Sequence, residues 1–342
     1  MSWIYLEKGE PMHYLWQVKR LIFFMKTFKS INQQVKLLTD RGIVFSSIKD
    51  AKDILSRKNF YNIINGYKKL FCVDTNNDTY IQNLSFNEVY SLYEFDTNLR
   101  NLFLKYVLIA EQEFKTHVAY EFAKTRGGTN WSLLKSFDTT TEAHKNEAKV
   151  LIARLKEESK KKKKDSQDDL IKHFNKIPIW AFVNVFAMGL IKKFYFCMKE
   201  EDRCFVAQNY YNISFSYLRS FLESLNMFRN VFAHNFRVLF YRIKDIDKQI
   251  KDTPIHSLLN IDKTNNYYYY GKNDLFSIVI VLKYMLCKKD FDSLYCSLIS
   301  LFDEVKQQTS KINYNQVINS IGFFEDDETK TWKNIITIKN GI

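Results

Sequence analysis

The feature that most limits what this chain can become is a long run of apolar residues at helical spacing. Leu92, Phe95, Leu99, Leu102, Phe103, Tyr106, Val107, Ala110, Phe114 and Val118 recur every three or four positions between Ser85 and Lys124. Only one face of an α-helix repeats in that way, so the segment reads as one or two long helices. The rest of the chain follows suit. Residues 30–40 open on a capping serine and stop at Arg41-Gly42, and residues 47–57 set Ile48, Ala51, Ile54 and Leu55 on one face. A helix is predicted at about 141–158. An apolar one after Pro178 carries Phe182, Val185, Phe186 and Gly189, and a long one runs from Phe215 to Arg242. Two more fill 273–308, with a short one near 315–322. Asp74–Asp78 reads as a loop that short strands could flank. Only 9 Gly and 3 Pro interrupt 342 residues, which argues against a turn-rich β-sandwich. The expected class is all-α.

Composition excludes several other classes. With 46% hydrophobic and 26% charged residues the chain is not disordered. Its five cysteines are odd in number and lack zinc spacing, so neither a disulfide framework nor a bound metal is expected, and a reducing compartment fits. The apolar run Leu21–Met25 is too short for a leader core, and no window of 18 apolar residues follows, so a soluble cytoplasmic protein is expected. The net charge is +13, of which residues 115–200 alone contribute +8. Such an excess suits an anionic partner, most commonly a nucleic acid, and also suits plain solubility. Lys160, Lys161, Lys162, Lys163 and Lys164 stand in a row before Asp165–Asp169. They read as a mobile surface loop, either a phosphate-tracking arm or a solvated stretch. Asp165, Asp168 and Asp169 show no geometry for a metal.

One segment carries chemistry. Arg229-Asn230-Val-Phe-Ala-His234 continues through Asn235 and Phe236 to Arg237. On a continuous helix Asn230, His234 and Arg237 would share a polar stripe about 60° wide. Phe221, Leu225, Phe228, Phe232 and Leu239 would form the apolar stripe opposite. Arg229 leans toward the apolar side, where a guanidinium needs an anionic partner. These residue types suit metal-free RNA cleavage. Histidine can move a proton near neutral pH, arginine can fork onto a phosphate, and asparagine can orient either. One histidine per chain is few for two proton transfers, and a two-fold dimer would supply a second. A lone Arg-x4-His also arises often by chance.

Several further motifs give that segment a context. Gln34–Gly42 is followed by Phe60-Tyr61 and Asn65-Gly66-Tyr67. Then come Tyr93-Glu-Phe95-Asp96-Thr-Asn-Leu99-Arg100, Glu111-x3-Lys115, and Pro178-Ile-Trp180 with Gly189. In this order, over about residues 30–240, they resemble the abortive-infection AbiD/AbiF family of phage-defence proteins. Arg229–His234 resembles the Arg-x4-His signature of HEPN ribonucleases. The tail resembles the family only through Ile321-Gly322-Phe323 and Trp332.

The resemblance implies an N-terminal helical region over 1–84, a helical HEPN-like core over 85–245 with its Lys-rich loop at 159–169, and a C-terminal helical region over 246–342. It implies Arg229, Asn230 and His234 as catalytic residues, with Glu111, Lys115 and Arg237 in support. Glu111 would face Arg229, although Glu111 and Lys115 could also be an ordinary i,i+4 surface pair. It implies a toxin that cleaves RNA, restrained by a structured noncoding RNA; the chemistry of the segment adds that no cofactor is needed and that a homodimer is expected. The second reading is a silent, RNA-binding relative, since the family often has a second histidine where this chain has Asn235. A helical adaptor is the third. Asp96 and Arg100 read as a structural ion pair, His117 as a helix-surface histidine, Trp180 as core, and Tyr267–Tyr270 as a partly buried aromatic hairpin or loop.

Overall fold

The computed structural model describes residues 28–74, 78–165, 176–325 and 330–339. The N-terminal stretch with Leu21–Met25, together with Asp168 and Asp169, lies outside the described residues.

Helix α1 (Ile31–Asp40) begins with a capping box. The Ser30 hydroxyl accepts the Gln33 N–H, and the Gln33 side chain accepts the Ser30 N–H at 2.8 Å. Strand β1 (Ile43–Val44) follows, and α2 (Ile48–Arg57) is capped by Ser47. The antiparallel strands β2 (Cys72–Asp74) and β3 (Thr79–Tyr80) flank the expected loop, and β4 (Leu84–Ser85) pairs parallel with β1.

Helix α3 (Phe86–Arg126) is the axis of the molecule. Its 41 residues form one continuous helix, about 60 Å long at 1.5 Å per residue. Ser85 caps its start, and Gly127, at φ +91, ends it. Half of its residues are buried, because other helices pack on several of its sides. Among the described residues the Gly and Pro positions fall at element ends or between elements, and the class is all-α with only small strand pairs.

Helix α4 (Glu142–Asp165) corrects one expectation. Lys160–Lys164 are the last turns of a helix, not part of a loop. The buried seam Leu151, Leu155, Ser159 keeps helical spacing up to the lysines. Lysine is a good helix former, and a helix C-terminus attracts cations.

The segment after Pro178 also differs from expectation. It is one turn, α5 (Ile179–Phe182), then a 3₁₀ turn over Val183–Val185, then α6 (Met188–Cys197). Extended backbone at Phe186 and Ala187 breaks the run. Trp180, expected in the core, is 58% exposed. Ile179, Phe182 and Val183 occupy the buried side, and the Trp180 ring rests on Gly128, where any Cβ would collide with it.

Helix α7 (Glu200–Tyr211) precedes α8 (Phe215–Ala233), and α9 (Pro254–Leu258) follows. Strands β5 (Lys263–Thr264) and β6 (Tyr267–Tyr268) form the aromatic hairpin. Then come α10 (Leu275–Met285), α11 (Lys288–Gln308) and α12 (Tyr314–Asn319). Nearly every residue of α10 is buried, with α8 and α3 against it, and α11 lies along α3. The hydrophobic core is continuous from α1 to the 3₁₀ turn at Trp332–Ile336.

Candidate functional site

The Arg-x4-His segment forms the C-terminal end of α8. The helix stops at Ala233, well before the expected Arg242. His234 is the C-cap residue, and its N–H donates to the Asn230 carbonyl at 3.0 Å. Asn235 turns left-handed at φ +58, and the Phe236 N–H reaches back to the Val231 carbonyl at 3.0 Å. This is the six-to-one closure of a Schellman stop, in which Asn is tolerated at the left-handed position. Asn235, at the position where the resemblance leads to the expectation of a second histidine, is here the residue that ends the helix.

Asn230 and His234 are exposed, whereas Phe221, Leu225, Phe228 and Phe232 are buried. The two-sided character of the helix is as its sequence implies. Phe232 stacks on Phe103 of α3, with ring centres 5.8 Å apart, and Phe228 meets Tyr241 edge-on.

Arg229 points toward α3. Its Nε lies 3.5 Å from the Glu111 Oε2, and its side chain keeps 27% exposure. Glu111 also receives Lys115 Nζ at 2.7 Å. The Glu111–Lys115 pair is therefore an i,i+4 pair, but a buried one: the Glu111 side chain is only 4% exposed. Two cations share one carboxylate, and a buried carboxylate needs such partners. The Arg229–Glu111 approach is a charge contact, since neither the Nε nor the Oε2 makes an aligned hydrogen bond.

Arg237 is placed differently from expectation. Because α8 ends at Ala233, it does not continue the stripe of Asn230 and His234. Its guanidinium donates to the Gly66 carbonyl and lies over the Tyr67 ring, 5.6 Å from its centre. Asp96 and Arg100 hold the same segment from the other side. The Asp96 carboxylate accepts the Val238 and Leu239 N–H groups at 2.8 Å each, and Arg100 Nη1 at 3.0 Å. Burial pushes the Asp96 carboxyl above its ordinary range, against the pull of those two N–H groups and of Arg100. Arg100 also donates to the Phe236 carbonyl at 3.4 Å. Three sequence motifs far apart in the chain thus converge on the backbone that follows His234. The reading of Asp96 and Arg100 as a structural pair holds. The role of Gly66 as the seat of Arg237 is not evident in the sequence, where the short Asn65-Gly66-Tyr67 box is its one signal.

Other singled-out residues lie elsewhere. His117 is half-buried, stacked on Tyr210 with centres 4.0 Å apart and bonded to the Tyr211 hydroxyl at 3.1 Å. Burial lowers its pKa. Lys160, Lys161 and Lys164 are exposed on α4.

The family model for Abi-like proteins matches residues 53–240. This chain belongs to the Abi-like protein family. The matched span takes in the Gly66, Asp96–Arg100, Glu111–Lys115 and Arg229–Arg237 motifs that meet around the end of α8. Membership points to abortive infection, the defence in which phage-infected cells are sacrificed. Comparison with curated proteins and with solved structures gives no match. Among the described residues of this Abi-like protein, no helix is long and apolar enough to cross a membrane.

Proposed function

We propose that this Abi-like protein is a metal-independent endoribonuclease whose catalytic residues are Arg229, Asn230 and His234. The observation that carries the reading is the end of α8. It presents an exposed imidazole and an exposed amide in the same helix turn region as Arg229, whose side chain is 27% exposed and faces Glu111.

In the proposed reaction the ribose 2′-oxygen attacks the adjacent phosphorus and gives up its proton. The P–O5′ bond breaks, the leaving 5′-oxygen takes a proton, and a 2′,3′-cyclic phosphate remains. Arg229 neutralises charge on the non-bridging oxygens, and Asn230 donates to one of them. His234 performs one of the two proton transfers. A second copy of the chain, paired across a two-fold axis, supplies a second histidine for the other. Glu111 acts through Arg229 and is a positioning residue, with Lys115 balancing its charge. Arg237 acts on the backbone after His234 through Gly66 and Tyr67. The exposed lysines at the end of α4 give the RNA backbone an electrostatic track, in the cytoplasm, without a cofactor. A structured noncoding RNA bound on that track restrains the toxin.

His234→Ala is expected to abolish cleavage while leaving the fold and RNA binding intact, and wild-type cleavage is expected to persist in EDTA. Cleavage by the variant at the wild-type rate would remove His234 from the mechanism.

The occupancy of the second-histidine position by Asn235, a helix-stop residue, favours one other reading. In it the protein binds its RNA as a ribonucleoprotein without cutting. Steeply salt-dependent binding with no cleavage by RNA-free protein would select that reading.

A further inference from the structure

Phe236 stands two residues beyond His234 with 60% of its surface exposed. Its ring centre lies 6.2 Å from that of His234, the two planes inclined by 50°. An exposed phenylalanine alone means little, since folded surfaces carry many apolar side chains. The way its backbone is held sets this one apart. Its N–H donates to Val231, its carbonyl accepts from Arg100, and Asp96 grips the Val238 and Leu239 N–H groups just beyond. In a helix stop of this kind the apolar residue at this place ordinarily packs on the last turn. Phe236 leaves most of its ring in solvent instead. A rigid backbone therefore presents a free aromatic face beside the exposed imidazole.

We propose that Phe236 is a stacking platform for an unpaired base next to the phosphate that His234 and Arg229 engage. The proposal rests on the nuclease reading and narrows its substrate. A phenyl face has no hydrogen-bonding group, so it selects by stacking and not by base identity. Bases inside an A-form helix are already stacked and paired, so the preferred substrate is a single-stranded loop, bulge or tail. Purines, with the larger face, are cut faster than pyrimidines at the stacked position. The position is specificity-determining: Phe236 moves no proton and holds no phosphate.

The test uses short labelled RNAs with one mapped cleavage site, cut under single-turnover conditions by wild type, Phe236→Ala, Phe236→Leu and Phe236→Trp. Alanine and leucine are expected to lose on the order of 10-fold or more in kcat/KM, and tryptophan to retain activity. An abasic nucleotide at one flank of the site should slow wild type by the same factor and leave Phe236→Ala no slower. Leucine as active as wild type would overturn the proposal, and so would an abasic penalty that persists in full in Phe236→Ala. A second copy of the chain is the other candidate occupant of this face. If the loss in Phe236→Ala tracks dimer dissociation in sedimentation and vanishes at high protein concentration, the ring is an interface residue and the proposal falls. Should wild type cut no RNA, the nuclease reading fails on its own. Quenching of a fluorescent base in bound RNA then decides the stacking: it must depend on Phe236, and equal quenching by wild type and Phe236→Ala overturns it.

Discussion

Glu111, Asn235 and His256 show how much of this molecule rests on single side chains. Glu111 sits between Lys115 and Arg229, almost wholly out of solvent. Removing it leaves a buried ammonium without its counter-ion, which costs about 3 kcal/mol or more. Glu111→Ala should therefore lower both stability in urea and activity, whereas His234→Ala, at an exposed position, should stay within about 0.5 kcal/mol of wild type. Equal stability of the two variants would contradict the Glu111 assignment. Asn235 ends α8 in left-handed backbone. Asn235→Gly is expected to be neutral within a few tenths of a kcal/mol, and Asn235→Val to cost about 1–2 kcal/mol, as thermal denaturation would read.

His256 is fully buried. Its Nδ1 accepts the Thr253 N–H at 3.1 Å, and its Nε2–H donates to the Gly271 carbonyl at 2.9 Å. Burial drives its pKa down to about 4. The folded state therefore refuses a proton that the unfolded chain accepts below about 6.5. Stability is full above that pH and falls as pH drops from about 6.5 toward 4, by about 3 kcal/mol over the window. Wild type minus His256→Asn should show this slope in urea titrations at several pH values. A pH-independent difference would mean that the histidine is not held neutral.

At the scale of elements, apolar spacing locates most helices, and capping serines place the starts of α1, α2 and α3 within a residue. The ends of these three also fall within two residues of the expected places, but the end of α8 does not. The end of α8 is hidden in the sequence because Asn235, Phe236 and Arg237 continue a plausible helical pattern. Asn235 is the one local stop signal, and tertiary contacts then hold the turned chain: Asp96 captures two backbone N–H groups, and the Gly66 carbonyl accepts Arg237. The Asp96 carboxylate and the Gly66 carbonyl lie about 140 and 170 residues away, so what they add to the stop leaves no local signal. The lysines of α4 mislead in the other direction, since a charge run suggests a loop although lysine propagates helices well. Replacing Lys160, Lys161, Lys162 and Lys164 with glutamine should leave the helix content intact. It should flatten the dependence of log K on log salt by up to about 0.7 for each phosphate of single-stranded RNA that is no longer neutralised. An unchanged slope in filter binding would take α4 out of the RNA-binding surface.

At the scale of the whole molecule, the site depends on segments far apart in the chain. Residues 60–67 hold Arg237, α3 supplies Asp96, Arg100 and Glu111, and α8 supplies Arg229 and His234. Behind α8 lies α10, whose apolar residues are buried all round. Glu88 of α3 clasps the turn after α11 through the Lys311 and Ile312 N–H groups, each at 2.7 Å. Gly322, at φ +86, lets that region close on buried Asp274, where a Cβ would collide with the carboxylate. The motif Ile321-Gly322-Phe323, faint in sequence, is thus a close approach of backbone to carboxylate. A chain cut after residue 245 exposes the seats of α10 and α11 on α8 and α3, and should be insoluble or lack cooperative unfolding by circular dichroism. A soluble, cooperatively folding fragment would show that the core is divisible there.

Metal-independent cleavage through His234 is tested by a denaturing gel of labelled RNA incubated in EDTA with RNA-free protein, wild type beside His234→Ala. The expected result is fragments ending in 2′,3′-cyclic phosphate from wild type alone. Fragments of equal intensity from both proteins, or none from wild type, would contradict it.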